Sequence, residues 1–417
     1  MAKRIFTYFS SLLILGNVLS AQEIVPADVL GVQDSLIVAQ DSLTVAKKFS
    51  YLGPVGEFDD ELAVEPFLYG SKVRMALLLP FAVDTTAANK NYLNFYFGSL
   101  LAVRELSEQG VEVELNVVDV TDPVEYSDVP KVLKQSDIII GPVSSRDISG
   151  VLDELPRNKY IISPLDARTE YLTQNNRVIL ASTPAHFQIE DSMDWLLEDM
   201  AGTQDSLIVV RESNYRLTPT EELIYERLDL PTLENVVEVD YTLSTGLEMN
   251  EWFGVHTHLK DTVTRVVAAS EHEVFVKDVI RNVYLQNNLK KQTFIYGPAK
   301  TKSPEMIEMC DARLRSSVTY HIDYTSPKVI DFVRDFRALF QGEPDSFAFH
   351  GYDTTKYFIS IFAIYGNSWV DNLEEFRQSG LQTYFRFCKP EDFDGAFNVG
   401  LRRLTYEPDY KLYIQDR

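Results

Sequence analysis

From Lys72 onward, short apolar runs rich in Val, Ile and Leu alternate with longer stretches whose apolar residues recur every three or four positions. The short runs suit strands buried on both faces, and the longer recurrence suits helices with one apolar side. The pattern predicts strands over 73–81, 111–120, 137–141, 160–163, 206–210, 235–241, 264–268 and 293–296. It predicts helices over 92–109, 184–199, 272–288 and 328–340. In the first of these Phe95, Leu100, Leu101, Val103 and Leu106 form the apolar stripe, and Gly110 supplies the stop. Strands alternating with helices imply parallel sheets covered on both faces, so the fold class is α/β. Tyr352, Tyr357, Phe358, Phe362 and Tyr365 also fall at helical spacings and read as core.

Residues 22–71 break this pattern. They are acidic, lack Cys and Trp, and are punctuated by Pro26, Gly31, Gly53, Pro54, Gly56 and Pro66, which reads as a flexible spacer. Inside it a heptapeptide repeats, Gln33-Asp34-Ser35-Leu36-Ile37-Val38-Ala39 followed by Gln40-Asp41-Ser42-Leu43-Thr44-Val45-Ala46. Leu36, Ala39, Leu43 and Ala46 would share one helical stripe, but two heptads fall short of a coiled coil. Ahead of the spacer, Lys3 and Arg4 precede an apolar stretch from Ile5 to Leu19 that ends in the small residues Ser20 and Ala21. That order predicts that residues 1–21 are a cleaved secretory signal peptide and that the mature chain is exported. No Cys lies near the cleavage point, which argues against a lipid anchor, and no later window is apolar enough to span a membrane.

Composition narrows the function. The 417 residues are 45% hydrophobic and 12% aromatic, enough to fill a large core, and leave room for two lobes or more. Sixty-two acidic residues face 39 basic ones, a net charge of −23, which repels a phosphate backbone and removes nucleic acid as a partner. Two cysteines, Cys310 and Cys388, cannot build a metal cluster or a disulfide-dense scaffold, although an exported chain permits one bridge.

Parallel sheets place ligands beyond the carboxyl ends of their strands, where loops meet helix N-termini. The strand over 137–141 runs into Pro142-Val143-Ser144-Ser145, and that over 160–163 into Pro164-Leu165-Asp166. Others run into Arg211-Glu212-Ser213-Asn214, Ala269-Ser270-Glu271-His272 and Gly297-Pro298. Singly, such residues are ordinary caps and turns; as a set they outline a site.

The run Asp137-Ile138-Ile139-Ile140-Gly141-Pro142-Val143-Ser144-Ser145, with Ile161-Ile162-Ser163-Pro164 after it, resembles the type I periplasmic binding protein family, nearest its branched-chain amino-acid receptors. Ala76-Leu77-Leu78-Leu79-Pro80-Phe81 with the helix carrying Tyr96-Phe97-Gly98-Ser99, and Glu343-Pro344-Asp345-Ser346-Phe347 leading to His350-Gly351-Tyr352-Asp353, extend the likeness over residues 72–417. The resemblance implies two Rossmann-like lobes joined by three crossings, with a ligand held between them. Lobe one would comprise 72–183 plus 323–383, and lobe two 184–322 plus 384–417, with crossings at Thr183-Pro184 and His321-Ile322-Asp323-Tyr324. Cys310 and Cys388 would then share lobe two, the ground for a bridge between them.

The resemblance implies that Ser144 and Ser145 lie at the cleft and that residues after Ser163-Pro164 help hold a ligand; with the strand-tip rule, the candidate contacts are Ser144, Ser145, Ser163 and Asp166 in lobe one, joined by Asn214 and Glu271 in lobe two. Receptors of this kind continue with small residues and hydroxyls after the second strand, whereas this chain has Leu165-Asp166-Ala167-Arg168. Asp166 would suit an ammonium and Arg168 a carboxylate. Two functions follow: a receptor delivering a small polar, amino-acid-like solute to an ABC transporter, or a protein-interaction module with a redirected cleft, as in regulators of cell-wall synthases. The partner would be a membrane transporter or another envelope protein.

Chemistry motifs point away from an enzyme. The chain lacks a Gly-x-Ser-x-Gly elbow, a Walker loop and a His-Glu-x-x-His helix, and no cofactor is expected. His256-Thr257-His258 with Asp261 is short of a full zinc ligand set and reads as surface histidines, and acidic pairs such as Asp59-Asp60 and Glu221-Glu222 read as solvated faces.

Overall fold

Apolar runs become the central strands of two seven-stranded sheets, each covered on both faces by helices. The computed structural model describes residues 71–82, 89–168, 172, 175–213, 217–233, 235–241, 263–270, 272–288, 292–297, 306–390 and 395–417. The expected signal peptide, the expected spacer up to residue 70 with its repeat, and His256, His258 and Asp261 lie outside the described residues.

The first sheet opens with β1 (Lys72–Leu79), β2 (Glu112–Asp119), β3 (Ile138–Ile140), β4 (Ile161–Ser163) and β5 (Val178–Leu180). Ile138, Ile139 and Ile140 are fully buried, as a strand covered on both faces requires. On one face lie α1 (Lys90–Glu108) and α10 (Ser346–Tyr365); on the other are α2 (Pro123–Tyr126), α3 (Val129–Gln135) and α4 (Ser145–Leu152). α1 and α10 cross at two glycines: a Cβ on Gly98 would lie 1.8 Å from the Ala348 carbonyl oxygen, and one on Gly351 would lie 2.0 Å from that of Phe95. Tyr357 and Phe358 on α10 are buried in this core. A further helix, α9 (Pro327–Phe340), packs Phe332 and Phe336 against the outer side of α1 and α10.

The second sheet contains β6 (Ser206–Glu212), β7 (Val236–Tyr241), β8 (Thr264–Ala269), β9 (Thr293–Tyr296) and β10 (Leu314–Val318). Helices α5 (His186–Met200) and α6 (Pro219–Leu228) cover one face, and α7 (Glu273–Asn288) and α8 (Met306–Asp311) the other. α6 begins with a complete capping box, in which the Thr218 hydroxyl accepts from the Glu221 amide and the Glu221 carboxylate accepts from the Thr218 amide.

The last strands divide between the sheets. A small hairpin of β11 (Gln378–Ser379) and β12 (Tyr384–Phe385) leads into β13 (Phe387–Cys388) and β14 (Ala396–Asn398). β14 pairs parallel with β5, and β13 pairs antiparallel with β14, so both extend the first sheet, in the order β13-β14-β5-β4-β3-β1-β2. β15 (Arg402–Glu407) and β16 (Lys411–Asp416) close the second sheet as antiparallel neighbours, in the order β16-β15-β10-β9-β8-β6-β7. This corrects the expected division: 387–398 belongs with lobe one, and the third crossing falls between Asn398 and Arg402 rather than at 383–384. It also removes the ground for a bridge. Cys310 is buried in the core under α7, Cys388 packs against the core of the first sheet, and both are free thiols.

The three crossings are bonded to one another. The Thr183 hydroxyl donates to the Gly400 carbonyl at 2.9 Å, tying the first to the third. Arg402 Nη1 donates to the carbonyls of His321 (2.7 Å) and Leu381 (3.3 Å), and Nη2 donates to the Gly380 carbonyl (2.7 Å) and the Ser379 hydroxyl (3.0 Å). Its Nε meets Asp416 at 3.1 Å. From the other side the buried Asp353 carboxylate on α10 accepts the amides of Leu381, Gln382 and Thr383 at 2.6, 2.8 and 2.9 Å. Backbone 379–383 is thus held by a cation on its carbonyls and an anion on its amides, which satisfies polar groups where water is excluded.

Candidate functional site

Ser144 and Ser145 sit where β3 turns into α4. Gly141 makes that turn possible: its φ is +87°, and a Cβ there would lie 2.0 Å from the Leu78 carbonyl oxygen. Ser144 is the N-cap of α4. Its hydroxyl accepts from the Asp147 amide at 3.2 Å and donates to the Asp147 carboxylate at 2.7 Å. Ser144 is therefore spent on starting a helix. Ser163, fully buried at the end of β4, donates weakly to the Val143 carbonyl at 3.4 Å.

Asp166 and Arg168 bond each other. Arg168 presents Nε to Asp166 Oδ1 at 3.0 Å and Nη2 to Oδ2 at 2.8 Å, a bidentate pair, and its amide also donates to Oδ1 at 3.0 Å. The same Nη2 donates to the Ser145 hydroxyl at 3.1 Å. Asp166 is buried, its side chain 6% exposed, whereas that of Arg168 is 43% exposed. The loop carrying them is anchored through the Pro164 carbonyl, which accepts from the Ser182 hydroxyl at 2.9 Å and from His350 Nε2 of α10 at 2.5 Å. Burial lowers the pKa of His350, which keeps its ring neutral. The structure thus brings Ser145 and Asp166 together, with Arg168 between them. A ligand ammonium seeking Asp166 must displace a guanidinium already held on both carboxylate oxygens.

On the second sheet, Asn214 and Glu271 lie outside the described residues. Their loops nevertheless bring together a cluster that the sequence did not single out. Glu212 ends β6, and Ser270 and His272 follow β8, which lies beside β6. The Ser270 hydroxyl donates to Glu212 Oε2 at 3.0 Å, His272 Nδ1 lies 3.1 Å from Glu212 Oε1, and the His272 amide donates to the Ser270 hydroxyl at 3.0 Å. The strand-tip rule located both loops, but their convergence on Glu212 depends on β6 and β8 being neighbours. This arrangement offers a half-exposed imidazole beside a carboxylate. The Ser270 hydroxyl and the His272 ring both face the Glu212 carboxylate.

No family model and no curated protein matches the chain. Solved structures do. A protein of Rhodospirillum rubrum assigned as a branched-chain amino acid ABC transporter matches over 82% of this chain and 100% of its own, at 15% identity and a TM-score of 0.56. A branched-chain amino acid ABC transporter periplasmic ligand-binding protein from Burkholderia xenovorans LB400 matches over 83% of this chain and 94% of its own, at 11% identity and a TM-score of 0.48. Full-length LpoA from Haemophilus influenzae matches over 84% of this chain and 60% of its own, at 12% identity and a TM-score of 0.47. The first likeness and the paired seven-stranded lobes give the chain the type I periplasmic binding protein fold. Among the described residues no helix is long and apolar enough to cross a membrane.

Proposed function

We propose that this chain is an exported, non-enzymatic protein that uses the two-lobed binding fold as an interaction module of the cell envelope, with its amino-acid position closed from within. The observation that carries the reading is the bidentate grip of Arg168 on Asp166, with Ser145 taking a further bond from the same guanidinium. Asp166 and Arg168 are the charges that would suit the ammonium and carboxylate of an amino acid, and here they satisfy each other. The acidic spacer with its repeated heptapeptide suits a module held away from its attachment, and the N-terminal stretch suits export to the periplasm.

Titration calorimetry of the mature protein with leucine, valine, glutamate and short peptides is expected to give no saturable heat at millimolar ligand. Crosslinked envelopes are expected to yield a protein partner. An amino acid that binds the wild type, and whose binding disappears in Ser145→Ala and Asp166→Ala, overturns the proposal in favour of a solute receptor for an ABC transporter. That second reading is favoured by one observation, the Glu212–Ser270–His272 cluster at the strand tips of the second sheet, which would supply the polar contacts of the other lobe.

A further inference from the structure

Arg74, Arg168, Arg227, Arg337 and Arg403 share one mode of pairing: each presents Nε and Nη2 side by side to the two oxygens of an acidic residue. Arg386, between β12 and β13, carries the same edge buried, and neither its Nε nor its Nη2 has a hydrogen-bond acceptor. The residue is not loosely placed. Its amide donates to Asn398 Oδ1 at 2.9 Å, its carbonyl accepts from the Val399 amide at 2.8 Å, and Asn398 Nδ2 donates to the Tyr384 carbonyl at 3.1 Å. The backbone that carries the guanidinium is therefore fixed beside the third crossing.

Tyr384, Arg377 and Arg417 reach it electrostatically, Arg377 itself bonding the Tyr384 side chain, and Asp191 on α5, an acid within reach, is already committed. Asp191 Oδ1 accepts from Arg403 Nη2 (2.8 Å) and Arg417 Nε (3.2 Å), and Oδ2 accepts from Arg403 Nε (3.0 Å) and the Ser317 hydroxyl (2.6 Å). Among the described residues, Arg386, Arg403 and Arg417 gather around two carboxylates, Asp191 and Glu198. A buried guanidinium edge without an acceptor is costly, and the fork geometry specifies what relieves it: a planar or tetrahedral oxyanion that offers two oxygens at once.

We infer that the Arg386 edge, with Arg377 beside it and Arg417 from the second lobe, is a binding site for a small oxyanion, a carboxylate or phosphate group, at the third crossing. Because the cations come from both sides of the crossing, the bound anion holds the two lobes in one relation. This assignment does not depend on the Asp166–Arg168 site.

Thermal unfolding of the full mature protein, titrated separately with inorganic phosphate and with acetate against sodium chloride at equal ionic strength, tests the assignment. The expected result is a saturable rise in Tm with phosphate or acetate beyond that with chloride, and at least a tenfold weaker apparent affinity in Arg386→Met. The stronger of the two responses identifies the class of oxyanion. In anion-free buffer Arg386→Met is expected to be no less stable than the wild type, since it removes an unpaired buried charge. Equal Tm responses in both proteins, or no response beyond chloride, overturn the site. Should the variant fold poorly, the Nε–H resonance of Arg386 in the wild type is the second readout: a saturable shift on phosphate or acetate addition supports the site, and an unmoved resonance refutes it.

Discussion

Glu190→Gln should flatten one half of a compensated pair of titrations and stabilise the protein above neutral pH. Glu190 and His186 lie one turn apart at the start of α5. Burial raises the Glu190 pKa to about 7 from an ordinary 4.5; Arg227 opposes the rise, and Asp194 and Glu226 reinforce it. Burial lowers His186 to about 4 from 6.5. One carboxylate oxygen of Glu190 and Nδ1 of His186 are buried without a hydrogen-bond partner, which is why desolvation governs both. Folded Glu190 keeps its proton where the unfolded chain has lost it, so its contribution falls as pH rises from 4.5 to 7. His186 works in reverse: the unfolded chain takes up its proton first, so its contribution falls as pH drops from 6.5 to 4.

At about 1.4 kcal/mol per pKa unit, each contribution spans roughly 3 kcal/mol. The His186 contribution is the smaller, since its ring keeps some exposed surface. Subtracting the wild-type stability curve from that of Glu190→Gln removes the His186 contribution and isolates Glu190. The variant should be more stable by about 3 kcal/mol at pH 8, with the difference shrinking toward zero by pH 4.5. Urea denaturation from pH 4.5 to 8 measures it. Parallel curves, or a variant less stable than the wild type at pH 8, would refute the desolvation argument.

Two further substitutions test the packing described above. Asp353→Asn keeps the shape but turns an amide N–H₂ toward backbone N–H donors at 381–383, and should cost roughly 2–4 kcal/mol in chemical denaturation; a cost under about 0.5 kcal/mol would mean that the carboxylate does not hold this backbone. Gly351→Ala drives a methyl group into the Phe95 carbonyl and should lower stability by about 2 kcal/mol or more, with a loss of Tm that Ala substitution at the exposed Gly150 of α4 does not reproduce.

The sequence made the buried parallel strands legible because these are plain apolar runs: Ile138–Ile140 and Thr264–Ala269 are buried throughout. It concealed the strands that do electrostatic work. β10 reads Leu-Arg-Ser-Ser-Val and β15 opens with Arg402-Arg403, which look like loop until α5 supplies Asp199 to Arg315 and Asp191 with Glu198 to Arg403, and β16 supplies Asp416 to Arg402. The same blindness put 387–398 in the wrong lobe, since strands of two and three residues carry too little periodicity to register. At the candidate site, the strand-tip rule found Ser145 and Asp166. That Arg168 would turn back onto Asp166 rather than outward is a matter of side-chain direction, which spacing alone does not encode.

Arg402 also limits how the halves can move. One guanidinium bonds the second crossing and the Gly380 and Leu381 carbonyls while itself standing at the start of β15. Sliding one half past the other would stretch these bonds together, whereas a swivel about the guanidinium lengthens none of them much. At this side chain the crossings resist a shear more than a pivot.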